Sequence, residues 1–82
     1  MNTIVTHYIN DKISIDPDNC NGKPTIRGKR ITVQTILEFL SAGENPQQIL
    51  EQYPSLDAED ISACLTFACK LMDHKYILKH VD

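Results

Sequence analysis

The chain has 82 residues, of which 41% are hydrophobic and 23% charged, and its formal net charge is −3. This length suffices for one domain with a modest core, so we expect a homodimer or a bound partner to add buried surface. The net charge excludes a uniformly basic nucleic-acid-binding protein, and no apolar run approaches the roughly 20 residues that span a bilayer. Because the N-terminus shows no signal-peptide pattern, we expect a cytoplasmic protein without a membrane partner.

Residues 1–31 are predicted to form a short β-hairpin rich in turns. Residues 13–15 alternate between apolar and polar like a short strand, and residues 16–22 carry a dense turn signal. Residues 24–27 are predicted to return as an edge strand, because Pro24 has no N–H to donate to a central ladder.

A run of positive charge closes this hairpin. The segment 23–30, here called the basic segment, holds four cations around one glycine: Lys23, Arg27, Gly28, Lys29 and Arg30. A bend at the glycine would let the backbone approach a partner closely. Residues 31–69 contain six carboxylates and no lysine or arginine. The planar fork of arginine suits phosphate and carboxylate alike. The basic segment is therefore predicted to contact a nucleic acid or an acidic partner, or else to pair with the chain's own acidic helices and fix the hairpin onto them.

Three helices are predicted over residues 32–79. The first begins after Thr32 as N-cap and ends before Gly43, which suits a left-handed helix terminus. The second has Asn45 as N-cap and Pro46 at its first position, where the missing N–H costs nothing, and it stops before Pro54. A short helix joined by a tight turn to a longer one is typical of a helix-turn-helix.

The third helix begins after Asp57 and is predicted to carry two apolar stripes. The stripe assigned to the domain's own core comprises Ile61, Cys64, Leu65, Ala68 and Met72. The second stripe is predicted to contact a partner, or else to be covered by the N-terminal segment, and its interface residues are Phe67, Leu71, His74 and Leu78. The carboxylates of the first turn, Asp57, Glu59 and Asp60, are expected to cap the helix and complement its dipole. They would repel the phosphates of DNA.

The sequence contains no pattern that indicates catalysis or metal binding. Three cysteines (Cys20, Cys64 and Cys69) form no Cys-x-x-Cys pair, and the three histidines are scattered. We expect reduced thiols, with Cys64 and Cys69 packed as small hydrophobic side chains. There is no nucleophile elbow and no phosphate-binding glycine loop. We therefore expect no catalytic residues, no metal site, no cofactor and no enzymatic activity.

A long run of the sequence resembles a known family. Residues 21–33, N-G-K-P-T-I-R-G-K-R-I-T-V, resemble the signature G-G-x-P-x-I-R-G-T-R-I-T-V of domain-of-unknown-function family 433. Residues 40–43, 49–56 and 59–68 resemble its later segments L-A-x-G, I-L-x-x-Y-P-x-L and x-D-I-x-A-x-L-x-Y-A. Asn21, Lys29 and Phe67 replace the usual Gly, Thr and Tyr, and Asn tolerates left-handed backbone nearly as well as Gly does.

The resemblance implies a fold and a function. Family members look like VapB-type antitoxins encoded beside a PIN-like nuclease toxin, with a homeodomain-like helix-turn-helix fold. The expected architecture is thus a single mainly α domain over 1–82, with a short N-terminal β-hairpin (1–31) before a three-helix homeodomain-like helix-turn-helix bundle (32–79). The partners that the resemblance implies are a PIN-like nuclease toxin and, for some members, operator DNA. The alternatives are a stand-alone helix-turn-helix repressor and a dimerisation module that does not bind DNA.

Overall fold

The computed structural model describes residues 4–75, which form a three-stranded antiparallel sheet followed by three α-helices. The strands are β1 (Thr6–Tyr8), β2 (Ile13–Ile15) and β3 (Thr25–Ile26), with β2 in the centre of the sheet. The helices are α1 (Val33–Ser41), α2 (Pro46–Gln52) and α3 (Ala58–Leu71). Within residues 4–75, no helix is long and apolar enough to cross a membrane.

The prediction of a two-stranded hairpin is wrong, because the sheet has a third strand, β1. β1 pairs with β2 so that Thr6 lies opposite Ile15 and Tyr8 opposite Ile13. The connecting turn is closed by the N–H of Lys12, which donates to the Ile9 carbonyl at 3.0 Å. Its central residues, Asn10 and Asp11, have φ of 53° and 64°, as a type I′ hairpin turn requires. β3 lies at the end of the sheet, as predicted from Pro24, but an isolated bridge between Thr25 and Thr32 covers part of its outer side.

The segment between β2 and β3 contains a left-handed turn. Cys20, Asn21 and Gly22 have φ of 51°, 58° and 78°. The N–H of Lys23 closes the turn by donating to the Cys20 carbonyl at 3.1 Å. The expectation that Asn21 can adopt the left-handed backbone in place of glycine is confirmed.

The predicted starts of the helices are confirmed by their caps. The side chain of Thr32 accepts the N–H of Thr35 at the start of α1. Asn45 and Gln48 form a capping box at α2, and Asp57 and Asp60 form one at α3. Each box satisfies N–H groups that the first helical turn leaves without partners.

The third helix is shorter than predicted, and its buried face matches the predicted stripe only in part. It ends at Leu71 rather than near residue 79. Leu65 and Met72, assigned to the core from the sequence, are 46% and 65% exposed. Ile61 and Cys64 of the predicted stripe are buried, and the buried face is completed by Asp60, Ala63 and Phe67.

The core joins the sheet to all three helices. Its largest fully buried apolar side chains come from β2, β3, α1 and α2, and they are Ile13, Ile26, Ile36 and Ile49. Leu56 and Ile61 bracket the start of α3 from both sides of its N-cap, and both are buried. This staple spacing fixes the angle at which the chain enters the helix.

Candidate functional site

The basic segment contains a tight turn that follows β3. The N–H of Lys29 donates to the carbonyl of Ile26 at 2.9 Å, and Ile26 in turn donates to Ile31 at 3.0 Å. Arg27 and Gly28 have φ of 49° and 72°, so this is a second turn of type I′. The bend predicted at Gly28 is confirmed, and it directs the backbone of the basic segment towards α1.

The guanidinium of Arg27 binds the buried carboxylate of Asp60. Its Nε donates to Oδ1 at 2.9 Å and its Nη2 to Oδ2 at 2.7 Å. Nη2 also donates to the backbone carbonyl of Ser55 at 3.0 Å. The Asp60 side chain is 0% exposed, whereas that of Arg27 is 38% exposed. This two-bond geometry, with one charge fully buried, is the strong form of a charge-assisted hydrogen bond.

Two further groups complete this ion cluster. The ammonium Nζ of Lys12 lies 3.5 Å from Oδ1 of Asp60. The backbone N–H of Asp57 donates to Oδ2 at 2.9 Å. Burial alone raises the pKa of Asp60, but the hydrogen bonds from Arg27 and Asp57 and the charges of Arg27 and Lys12 outweigh burial, so its pKa lies below the ordinary value. The hydrogen bond to Asp60 likewise raises the pKa of Arg27.

The ion cluster decides between the two interpretations of Arg27. Arg27 pairs with an acidic helix of its own domain and holds the turn after β3 against the start of α3. It is therefore a positioning residue within the fold. The remaining cations of the basic segment are not part of this ion cluster.

A residue that the sequence analysis missed holds the other side of the turn. The side-chain amide of Asn19 donates to the carbonyls of Lys29 at 3.0 Å and of Gly28 at 3.2 Å. Asn19 precedes the left-handed turn at residues 20–22, so the two irregular segments are fixed to each other. The sequence analysis also did not predict that Asp60 is the buried partner of Arg27, although Asp60 is the aspartate of the family's D-I segment.

The other cations of the basic segment reach the surface. Arg30 and Lys23 are exposed, and Lys29 is half-buried. The Nζ of Lys23 lies 3.5 Å from Oε1 of Gln34 on α1. Neither Lys29 nor Arg30 forms an ion pair with a residue in the described range. The rigid turn thus presents two cationic side chains that are not neutralised by residues 4–75.

The acidic start of α3 has the structural role that was expected of it. Asp57 accepts the N–H of Asp60, and Asp60 accepts the N–H of Asp57. Glu59 is 82% exposed and lies 3.7 Å from Lys12. Negative charge at this position complements the helix dipole.

A second surface lies along the C-terminal half of α3. Phe67 and Leu71, here called the α3 ridge, separate two apolar clefts of about 520 Å³ and 180 Å³. The larger cleft is also lined by the β1–β2 region and one lysine, namely Tyr8, Ile9, Asn10, Ile15 and Lys70. The smaller is also lined by the residue before β3 and by residues of α1 and α3, namely Pro24, Val33, Gln34, Leu37 and Ala68.

The residues of the predicted partner interface do not share one surface in the structure. Phe67 is 6% exposed and packs on Tyr8, with ring centroids 5.6 Å apart, so the N-terminal segment covers it, as the alternative interpretation held. Leu71 is 55% exposed. His74 lies beyond the end of α3, which breaks the helical spacing of the stripe. Leu78 lies outside the described residues.

The three thiols have different surroundings. Cys64 is fully buried, and burial, followed by the nearby charge of Asp60, raises its pKa to about 12. Cys20 is half-buried. Cys69 is exposed, so its expected packing as a core side chain is wrong. The rotation of the buried face of α3 towards Cys64 and Phe67 explains this difference.

Fold and surfaces together define a small sheet-and-three-helix domain with one rigid cationic turn and one apolar ridge. The chain belongs to the family described as "Protein of unknown function (DUF433)", which matches residues 13–68. It is 36% identical over 56 residues to the "Uncharacterized protein y4eO" of Sinorhizobium fredii. The matched part is 68% of this chain and 25% of the relative, so the chain spans about a quarter of that protein's length. No solved structure matches the chain.

Proposed function

We propose that this chain is a non-catalytic binding protein that neutralises a PIN-like nuclease in the manner of an antitoxin. The observation that carries the proposal is a turn fixed from both sides that presents the exposed Arg30 beside the half-buried Lys29. Arg27 ties that turn to Asp60, and Asn19 ties it to the loop before β3. The resemblance to VapB-type antitoxins supplies the class of partner.

The chemistry of the partner explains why a rigid cationic turn would suit it. A nuclease of this class holds metal ions with clustered carboxylates, so its active site is acidic. The guanidinium of Arg30 can form two parallel hydrogen bonds with a carboxylate. Because the turn is already ordered, binding avoids much of the entropy loss that a flexible arm would incur. A cation inserted into such a site would neutralise the carboxylates that the metal requires.

The test is co-expression of the chain with a PIN-like nuclease whose expression alone arrests growth. The double variant Lys29→Ala, Arg30→Ala should lose growth rescue and co-purification, while its urea midpoint stays within error of the parent chain. Lys75→Ala, which removes one exposed charge beyond α3, is the matched control and should rescue growth. Full rescue by the folded double variant would refute the cationic-turn mechanism.

A DNA-binding repressor is the alternative, and the charges of α3 disfavour it. In a homeodomain-like helix-turn-helix, the N-terminal residues of the recognition helix approach the major groove. Here that position would bring Asp57, Glu59 and the ion cluster towards phosphates. Contact through Lys23, Lys29 and Arg30 alone would give a shallow salt dependence, because each neutralised phosphate adds about 0.9 to the slope. A slope steeper than about 5 on promoter DNA would favour the repressor.

A further inference from the structure

The clefts on either side of the α3 ridge define a groove distinct from the cationic turn. We propose that this groove binds an acidic amphipathic helix of a partner chain. The proposal goes beyond nuclease neutralisation and does not depend on it, because a different surface and different residues carry it.

The shape of the groove suits a helix with spaced apolar anchors. The larger cleft, of about 520 Å³, has room for a large side chain between β1 and α3. The smaller, of about 180 Å³, lies on the opposite side of Phe67 and Leu71, between β3, α1 and α3. A helix about 10–12 Å across that lies over the ridge would place anchors from one apolar stripe in both clefts.

The charges around the groove select the acidic class of partner. Lys70 lines the larger cleft. On the other side of the ridge, Gln34 lines the smaller cleft and accepts a hydrogen bond from Lys23. This hydrogen bond places a second cation at the edge of the smaller cleft. Among residues 4–75, no aspartate or glutamate lines either cleft. Cations on both edges of an apolar groove complement a helix with one apolar face and carboxylates beside it.

The wall of the larger cleft shows backbone strain. Ile9 has φ of 53°, which is a rare conformation for a β-branched residue. The two turn residues that follow it require positive φ, but Ile9 precedes them in the chain. Its side chain is half-buried and lines the cleft beside Tyr8. Such outliers persist where the surrounding structure dictates them, and they cluster at binding sites.

The test uses synthetic peptides of about 18 residues, five helical turns long. The acidic peptide carries leucines at i, i+3, i+4 and i+7 with glutamates on the flanks. The basic peptide replaces glutamate by lysine, and the shuffled peptide keeps the acidic composition but disperses the leucines. Fluorescence anisotropy with the full chain should show that the acidic peptide binds at least tenfold tighter than either comparison peptide. Equal affinity for the three peptides, or no binding, would overturn the proposal.

Variants then locate the binding surface. Leu71→Ala should weaken binding of the acidic peptide about tenfold, and Lys70→Glu should abolish the preference for the acidic over the basic peptide. Leu65→Ala is the matched control, because Leu65 is an exposed leucine of the same helix that lines neither cleft. An equal loss from Leu65→Ala would contradict the assignment. Light scattering that shows a dimer dissociated by Leu71→Ala would assign the groove to a second copy instead.

Discussion

The buried carboxylate of Asp60 offers the most direct test of how this domain is held together. Replacement by asparagine keeps the shape and removes the charge. An amide can accept through one oxygen only, so an N–H of the new side chain would face donors from Arg27 or Asp57. We therefore expect Asp60→Asn to fold but to be less stable than the parent chain.

The size of the effect follows from what remains after the substitution. Removal of one partner from a fully buried pair costs about 3–5 kcal/mol. Here the cation left behind is 38% exposed on Arg27, and Lys12 is 23% exposed, so both can regain water. We expect the free energy of unfolding to fall by about 2–3 kcal/mol. This is close to the combined contribution of one hydrogen bond to a charged group and one helix N-cap. For a domain of this length this corresponds to a fall in Tm of roughly 10–20 °C.

Urea unfolding followed by circular dichroism measures this loss. Glu59→Gln is the matched control, because it neutralises a carboxylate of the same helical turn that also lies near Lys12 but is 82% exposed. It should cost about 1 kcal/mol or less. The m-value should stay constant in both variants, as a pure change in stability requires. A loss in Asp60→Asn no greater than in Glu59→Gln would refute a structural role for the ion cluster.

Two further predictions concern titration and thiol reactivity. Because the pKa of Asp60 is lowered in the folded chain, its contribution to stability is present above its ordinary value of 3.8 and is lost as pH falls through the folded pKa. The urea midpoint of the parent chain should therefore fall more steeply below about pH 4 than that of Asp60→Asn, and parallel curves would contradict this. The buried thiol of Cys64, with its pKa raised to about 12, should react with Ellman's reagent only as fast as the chain unfolds, whereas Cys69 reacts at once. Mass mapping of the labelled peptides checks the order, and early labelling of Cys64 would show that its site is open.

Local sequence signals were sufficient to place the starts of the three helices. Thr32, Asn45 and Asp57 are caps whose side chains satisfy N–H groups a few residues away, so their effect is visible in a short window. Gly43 has φ of 96°, as expected for a helix terminus. The left-handed backbone at Asn21 was predictable for the same reason, since only a few residue types adopt it at low cost.

The features that the sequence did not predict depend on distant contacts. β1 has three exposed residues and no run of apolar alternation, so its pairing becomes evident only beside β2. The Asn10-Asp11 pair was the available signal, because both residues suit a type I′ turn. The buried face of α3 could not be fixed by periodicity, since two apolar stripes were present. The pairing of Asp60 with Arg27 and the packing of Phe67 on Tyr8 decide which stripe faces inward.

The ion cluster also links the fold to the class of partner. The carboxylates at the start of α3 that would repel a DNA phosphate include the one that binds Arg27 and thereby orders the cationic turn. Ordering the backbone of one residue costs roughly 1–2 kcal/mol in conformational entropy. Because the four residues of the turn are already ordered, binding avoids a cost several times as large. The arrangement thus combines an acidic helix start, poorly suited to the major groove, with a rigid turn that holds Arg30 ready for carboxylates. An acidic protein surface, the partner that we propose, would suit both features at once.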